Sequence, residues 1–475
     1  MRMIYDEQLA QAAYLIGCQR TGEAIIIDPE RDVDRYIEIA QKNDLQIVAV
    51  AETHIHADFV SGARELAERI DAKVYLSGEG GPDWQYQWLN SKRSGGAYTH
   101  QLLKDQDSFH IGNIQFTVLH TPGHTPEHIS YLITDQGAGA DEPIALASGD
   151  FVFVGDLGRP DLLETAAGTT GAMEPAAKQL YKTLAKLDNI PDFVQVWPGH
   201  GAGSACGKAL GAVPMSTIGY EKRFNDSIKH SSSEQSFVEY ILQGQPEPPL
   251  YFSHMKRINK EGPSCLGSIP DPKQITAQEL RELDQTKITL VDTRDWHHFR
   301  NAHVPGSLSL PIENAFSTNA GSFITPHEPL CLIIDPQHKE QAIRELIRIG
   351  IDNIHYWFDS AELDQYESAN HPFSIIQEAS ASQSAELIHN PDIQPLDVRK
   401  SVEFAVSNIP GAINIAHTRL ASRTKELPKD KTLLINCLSG MRSARSAAYL
   451  QREGFKVINL VGGITAWEQE INTQP

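Results

Sequence analysis

The stretch QIVAVAETHIHADF (46–59) decides how the first half of this chain is read. An apolar run that ends in His-x-His-x-Asp reads as a buried strand. It delivers His54, His56 and Asp58 to the loop at the C-terminal edge of a sheet. Working outward, AAYLIGC (12–18) and EAIIIDPE (23–30) read as strands, and DVDRYIEIAQKN (32–43) as a helix. Downstream, AKVYLS, IQFTVLHTPGH, HISYLIT and IALASGDFVFVG read as further strands, PAAKQLYKTLAKL as a helix, and DFVQVWPGH as a last strand. Mostly helical sequence follows to about residue 245. Two sheets with flanking helices fit this order.

An His-x-His-x-Asp cluster alone is as readily an ordinary surface loop as a metal site. Three further residues sit at strand ends beside glycine: His124 in TPGHTPEH, Asp150 in ASGDFVF and His200 in WPGHGAG. Packing does not call for imidazoles and carboxylates converging from such distant segments, whereas a metal does.

The second half contains an internal repeat. ITLVDTRDWHHFRNAHVPGSLSLPI from Ile288 matches IQPLDVRKSVEFAVSNIPGAINIAH from Ile393, and each copy continues into an apolar strand and a helix. Strand–helix alternation predicts two small parallel sheets. The Pro- and Gly-rich segment at 244–273 reads as a linker, and ASASQSAE (379–386) as a spacer between the copies. The expected domains are therefore 1–250, 274–370 and 380–475.

The length of 475 residues suits about three domains. With 61 acidic against 41 basic residues, the formal charge of −20 repels nucleic-acid backbones and anionic lipid, so neither partner is expected. No run of 18 apolar residues and no signal-like N-terminus is visible, and a cytoplasmic location is expected. The five cysteines lack Cys-x-x-Cys spacing, which argues against a disulfide scaffold.

In KTLLINCLSGMRSARSAAYL, Cys437 closes a strand just before a helix. Backbone N–H groups, the helix N-terminus and Arg442 at that junction favour a thiolate. Asp335 stands at the end of LCLIID in the middle copy, where the last copy has Cys437, and its loop has no arginine. That copy is expected to be silent.

THIHADF, PGHT, SGD and PGHG occur in the order found in the metallo-β-lactamase fold superfamily, which residues 50–205 resemble. The run SGDFVFVGDLGRPDL resembles the persulfide dioxygenase branch of that superfamily. The resemblance implies an αββα sandwich with His54, His124 and Asp150 holding one Fe(II) per chain, the facial triad of non-haem iron oxygenases. Phe59 stands where two-zinc hydrolases of the superfamily carry a histidine, which implies loss of the second metal. His56, Asp58 and His200 would then orient ligands or substrate. Arg159 and Asp161 would bind substrate, the guanidinium gripping an anionic group of the thiol carrier, with a salt bridge from Arg159 to Asp156 or Asp161 as the alternative. Cys206 resembles a cysteine of fused family members that accepts or relays persulfide sulfur.

With LDVR, NIPGAINI and VGGITAW, residues 380–475 resemble the rhodanese sulfurtransferases. The two resemblances together imply two rhodanese-like α/β domains behind the sandwich, the first degenerate. They imply oxidation of a low-molecular-weight thiol persulfide by dioxygen to sulfite, transfer of sulfur from Cys437 to sulfite giving thiosulfate, sulfide detoxification as the purpose, and a homo-oligomer. The rival is a glyoxalase-II-like zinc thioesterase fused to a sulfur carrier, against which Phe59 speaks.

Overall fold

The computed structural model describes residues 1–165, 170–245, 247–313 and 315–471. The chain divides into two compact units, Met1–Ile269 with Ile347–Gly350, and the remainder from Pro270. None of the helices among the described residues is long and apolar enough to cross a membrane.

The first unit is a sandwich of two six-stranded sheets. One runs in chain order through Arg2–Asp6, Gln11–Cys18, Glu23–Ile27, Gln46–Ala51, Lys73–Ser77 and His100–Leu103. Its first pairs are antiparallel and those from Glu23–Ile27 onward parallel. The other sheet is ordered Ser216–Thr217, Gln195–Pro198, Ala145–Gly149, Ile129–Asp135, Ile114–His120 and Ser108–Ile111. Alternate residues face inward between the sheets, among them Tyr14, Ile25, Phe116, Val118 and Tyr131, all buried. The opposite faces bury Ile26 and Val50 against Leu66 of the helix Ala63–Ile70 on one side, and Leu146 and Val196 against Leu180 of the helix Met173–Thr183 on the other. Burying both faces explains why these strands read as continuous apolar runs.

The second unit carries two five-stranded sheets of one pattern. The middle module orders Lys273–Gln274, Ile354–Asp359, Leu330–Ile334, Thr289–Asp292 and Leu308–Ser309. The last module orders Gln377–Ala379, Lys456–Leu460, Thr432–Asn436, Ile393–Asp397 and Ile413–Asn414. All the pairings are parallel.

Three expectations are corrected. The segment read as a linker from residue 244 holds the helix Phe252–Glu261, which buries Phe252, Met255 and Asn259, and the first unit runs on to Ile269. The reason is that the Pro and Gly residues flank this helix rather than fill it. The spacer at 379–386 is structured as well. Ser380 caps the helix Ala381–Leu387 in a capping box with Gln383, so the serines act as helix signals rather than as a flexible tract. The third correction concerns strand register. Asp292 pairs with Ile333, whereas Asp397 pairs with Asn436. Cys437 is therefore matched by Ile334, and Asp335 lies one residue further, where its carboxylate accepts the Gln337 N–H at 2.8 Å and caps a short helix. Lining up the ends of LCLIID and LLINC misses this, because Leu330–Ile334 is apolar and buried throughout and carries no mark of register.

Candidate active sites

His54, His124 and Asp150 come from three strand ends, and one ligand atom of each lies within 4.8 Å of the others. Their remaining polar contacts fix which atoms are left over. His54 Nδ1 meets Thr53 Oγ1 at 2.9 Å, and Thr53 is itself held by Asp28 at 2.7 and 2.8 Å. His124 Nδ1 meets the Arg159 carbonyl at 3.0 Å. Such contacts orient an imidazole and leave its Nε2 for a cation. Neither carboxylate oxygen of Asp150 has a hydrogen-bond partner among the described residues; Nε2 of His124 and of His200 stand 3.5 and 3.6 Å away. A buried carboxylate left unpaired is costly. Burial pushes Asp150 up to about 6 and His124 down to about 3, the neutral forms that a dry site favours without a cation. Two imidazole nitrogens and an orphaned carboxylate fit a divalent metal. Gly158 is required beside them, because a Cβ there would stand 1.8 Å from the Asp150 carbonyl oxygen.

His56 turns away from this cluster. Its Nε2 lies 3.1 Å from Asp28 and 2.8 Å from Glu52. Burial alone would lower the imidazole; the two carboxylates outweigh it and hold His56 well above its ordinary value. Phe59 is fully buried with its ring centroid 4.3 Å from that of His56, so the phenyl packs behind the loop. Asp58 and His200 pair at 3.2 Å, and Cys206 completes a second group whose ligand atoms also lie within 4.8 Å. Burial, then the charges of Asp58 and Asp150, push the Cys206 thiol well up.

The guanidinium expected to grip a substrate anion is spent elsewhere. Arg159, 1% exposed, pairs bidentately with Asp161 at 2.8 and 2.6 Å and donates to the Ala205 carbonyl at 2.9 Å. The alternative reading of an internal salt bridge is the one realised. Arg159 thereby braces both His124, through its carbonyl, and the segment that carries Cys206.

Sequence reasoning missed three residues here. His128 Nε2 accepts the Asp150 N–H at 3.0 Å, Asp28 anchors Thr53 and His56, and Asn259 reaches back from the supposed linker. The Asn259 amide donates to the carbonyls of His56 and Phe59 at 2.9 and 2.7 Å and accepts the Ser61 N–H at 2.9 Å. The signal for His128 was present in PGHTPEH; nothing local marks Asn259.

In the last module Cys437 follows the strand Thr432–Asn436 and is 1% exposed. Its Sγ accepts the Gly440 N–H at 3.1 Å and faces Ser443 Oγ at 3.5 Å. Gly440 has φ +100°, the left-handed turn that opens the helix Met441–Arg452. Gly463 passes so close that a Cβ would stand 2.4 Å from the Cys437 carbonyl oxygen. Arg442 is shared: its guanidinium holds Glu403 at 2.8 and 2.7 Å. That pairing keeps the Glu403 carboxyl below its ordinary range. Cys331 lies inside a middle-module strand, where burial pushes its thiol to about 12.

The metallo-beta-lactamase superfamily model matches residues 7–200, and the rhodanese-like domain model matches residues 380–470. A crystal structure of a metallo-beta-lactamase from Staphylococcus aureus subsp. aureus COL is 39% identical with a TM-score of 0.67, and covers 75% of this chain and 98% of that one. Glyoxylase B2 of Dictyostelium discoideum is 28% identical over 246 residues, 50% of this chain and 77% of its own. A hydroxyacylglutathione hydrolase of Tolumonas auensis is 32% identical over 193 residues, 40% of this chain and 62% of its own. Together with the sandwich and the cluster at its strand ends, these matches establish an enzyme fold: the chain belongs to the metallo-beta-lactamase superfamily and carries a rhodanese-like α/β domain behind it.

Proposed function

We propose that the first unit is an Fe(II)-dependent dioxygenase that converts a low-molecular-weight thiol persulfide to sulfite, and that Cys437 of the last module transfers sulfane sulfur to sulfite, giving thiosulfate. The observation that carries this reading is the Asp150 carboxylate, left without a hydrogen-bond partner between His54 and His124 while His56 turns to Asp28 and Glu52. One carboxylate and two imidazoles suit a single ferrous ion, which supplies the redox chemistry that lets dioxygen react with sulfur. The chain's own residues do the rest. Thr53 and the Arg159 carbonyl fix the ring orientations of the two histidines that would hold the ion, Asp28 and Glu52 engage His56 Nε2, and Phe59 stands where a second metal would need a histidine. Cys206, beside Asp58 and His200, is the residue to which this reading gives the acceptance or relay of persulfide sulfur.

At Cys437 the Gly440 N–H and the Ser443 hydroxyl hold negative charge on sulfur. Sulfite attacks the outer sulfur of a Cys437 persulfide, the S–S bond breaks with its electron pair returning to Cys437, and thiosulfate leaves. The middle module, with Ile334 in the cysteine register, takes no part in the chemistry.

Similarity to the glyoxylase and hydroxyacylglutathione hydrolase favours a second reading, a zinc thioesterase joined to a sulfur carrier. Anaerobic purification followed by metal analysis and an oxygen electrode, with glutathione persulfide as substrate, separates the two. About one iron per chain with oxygen uptake and sulfite release is expected. Zinc at two per chain, thioester hydrolysis and no oxygen uptake would overturn the dioxygenase.

A further inference from the structure

The helix that follows Cys437 is buried on every side: all residues from Ser443 to Leu450 are inside. A helix in that position must be covered by something besides its own sheet. The cover is the middle module. His303 meets Gln451 at 3.0 Å, Arg452 donates to Thr289 at 2.8 Å, and the rings of Phe323 and Tyr449 lie 5.1 Å apart.

Arg442 and Arg445 stand three residues apart on this helix, which opens at the cysteine loop. Arg442 holds Glu403 of its own module, while Arg445, 8% exposed, holds Glu313 of the middle module. The Glu313 side chain is 44% exposed, so the pair has one wet end. Nε of Arg445 has no hydrogen-bond partner among the described residues. His417 lies in the same group; burial, then the charges of Arg442, Arg445 and Lys400, hold it near 3 and neutral. Both arginines lie on the helix that opens at the Cys437 loop, where the Ser443 hydroxyl stands 3.5 Å from the sulfur. A persulfide site that receives a dianion has need of such cations.

We propose that Glu313 is a specificity residue for the acceptor anion: it occupies the Arg445 guanidinium, and sulfite must displace its carboxylate to reach the Cys437 persulfide. The middle module, although it carries no sulfur, then sets how strongly the last one binds its acceptor. This rests on the sulfurtransferase reading of Cys437.

The test uses the full chain. Glu313→Gln removes the competing charge at nearly constant shape, and KM for sulfite in thiosulfate formation should fall about three- to tenfold, with a smaller change in kcat. Arg445→Gln should raise that KM. Adding Glu313→Gln to Arg445→Gln should change nothing further, because the two act through one contact. Arg445→Lys, which keeps the charge, controls for loss of packing, and Glu313→Ala repeats the test should the Gln variant fold poorly. An unchanged KM in both Glu313 variants, or a Glu313 effect that persists without Arg445, overturns the proposal. A wild-type protein unable to convert sulfite would defeat the sulfurtransferase reading instead. Calorimetric binding of sulfite to Cys437→Ser protein, with and without Glu313→Gln, then decides the role of Glu313 by itself: tighter binding supports it and equal binding refutes it.

Discussion

The middle and last modules are built alike and equipped differently. Both place an Asp at the end of a central strand and hold with it the Arg two residues on, Asp292 with Arg294 and Asp397 with Arg399, each pair bidentate. Both Arg residues also donate to a carbonyl eight residues further on, Ala302 or Ser407, and so tie the next loop to the strand. These shared features hold the scaffold. What differs is the turn from strand to helix. One has Cys437 with Gly440 in the left-handed region and the Gly440 N–H and Ser443 hydroxyl aimed at sulfur; the other has Ile334, buried, and a Pro336–His338 turn capped by Asp335. Repetition of a fold preserves its braces, while chemistry depends on three or four residues in one loop.

The largest expected effect lies in the first unit and sets it apart from both modules. Asp150→Ala should remove the metal and lower oxygen uptake by a factor on the order of a hundred or more, since two imidazoles alone bind a divalent ion poorly. Metal analysis and an oxygen electrode read this directly, and retention of metal would refute the assignment. Next, Cys437→Ser should abolish enzymatic thiosulfate formation while leaving most oxygen uptake, so that sulfite accumulates at early time points. Equal thiosulfate from both proteins would erase the contrast between the modules.

The braces allow a finer comparison. Replacing Asp397 or Asp292 by Asn leaves a buried guanidinium short of its charge partner, a loss on the order of 3 kcal/mol. Because the Arg399 side chain is 3% exposed and Arg294 is 18% exposed, thermal denaturation should rank Asp397→Asn as the more damaging. The reverse order would mean that the middle module depends more on its brace. The smallest effect expected is none at all: Ile334→Cys in a Cys437→Ser background should show no transferase activity, because the Pro336 turn offers no glycine-turned ring of donors. Measurable activity there would show that register alone makes a sulfur carrier.

His124, Asp150 and His200 were legible in the sequence because each combines a rare residue with a neighbouring glycine, as in PGHT, SGD and PGHG, whereas His54 was marked by the His-x-His-x-Asp spacing after an apolar strand. The repeat was legible for a similar reason, since the Asp-x-Arg brace keeps its spacing to the Pro-Gly turn. Strand register was not. Leu330–Ile334 is apolar throughout and buried on both faces, so no alternation marks which residue is opposite which. Partners of long side chains were hidden as well. Arg159 could be seen to have a choice between Asp156, Asp161 and a ligand, but the choice is made by burial. Asn259 was invisible, because its three hydrogen bonds cross about 200 residues of chain to a loop it does not resemble.

Asn259 also determines where this protein can be cut. A fragment ending at the Pro-rich stretch near residue 250 would keep every proposed iron ligand yet strand three backbone groups, those of His56, Phe59 and Ser61, in a dry interior. The loop would then have to find water or move, and His54 sits at its start. Someone designing a minimal oxygenase from this chain should therefore keep residues 251–269, working parts that look like a tail, together with the Ile347–Gly350 segment that completes the unit.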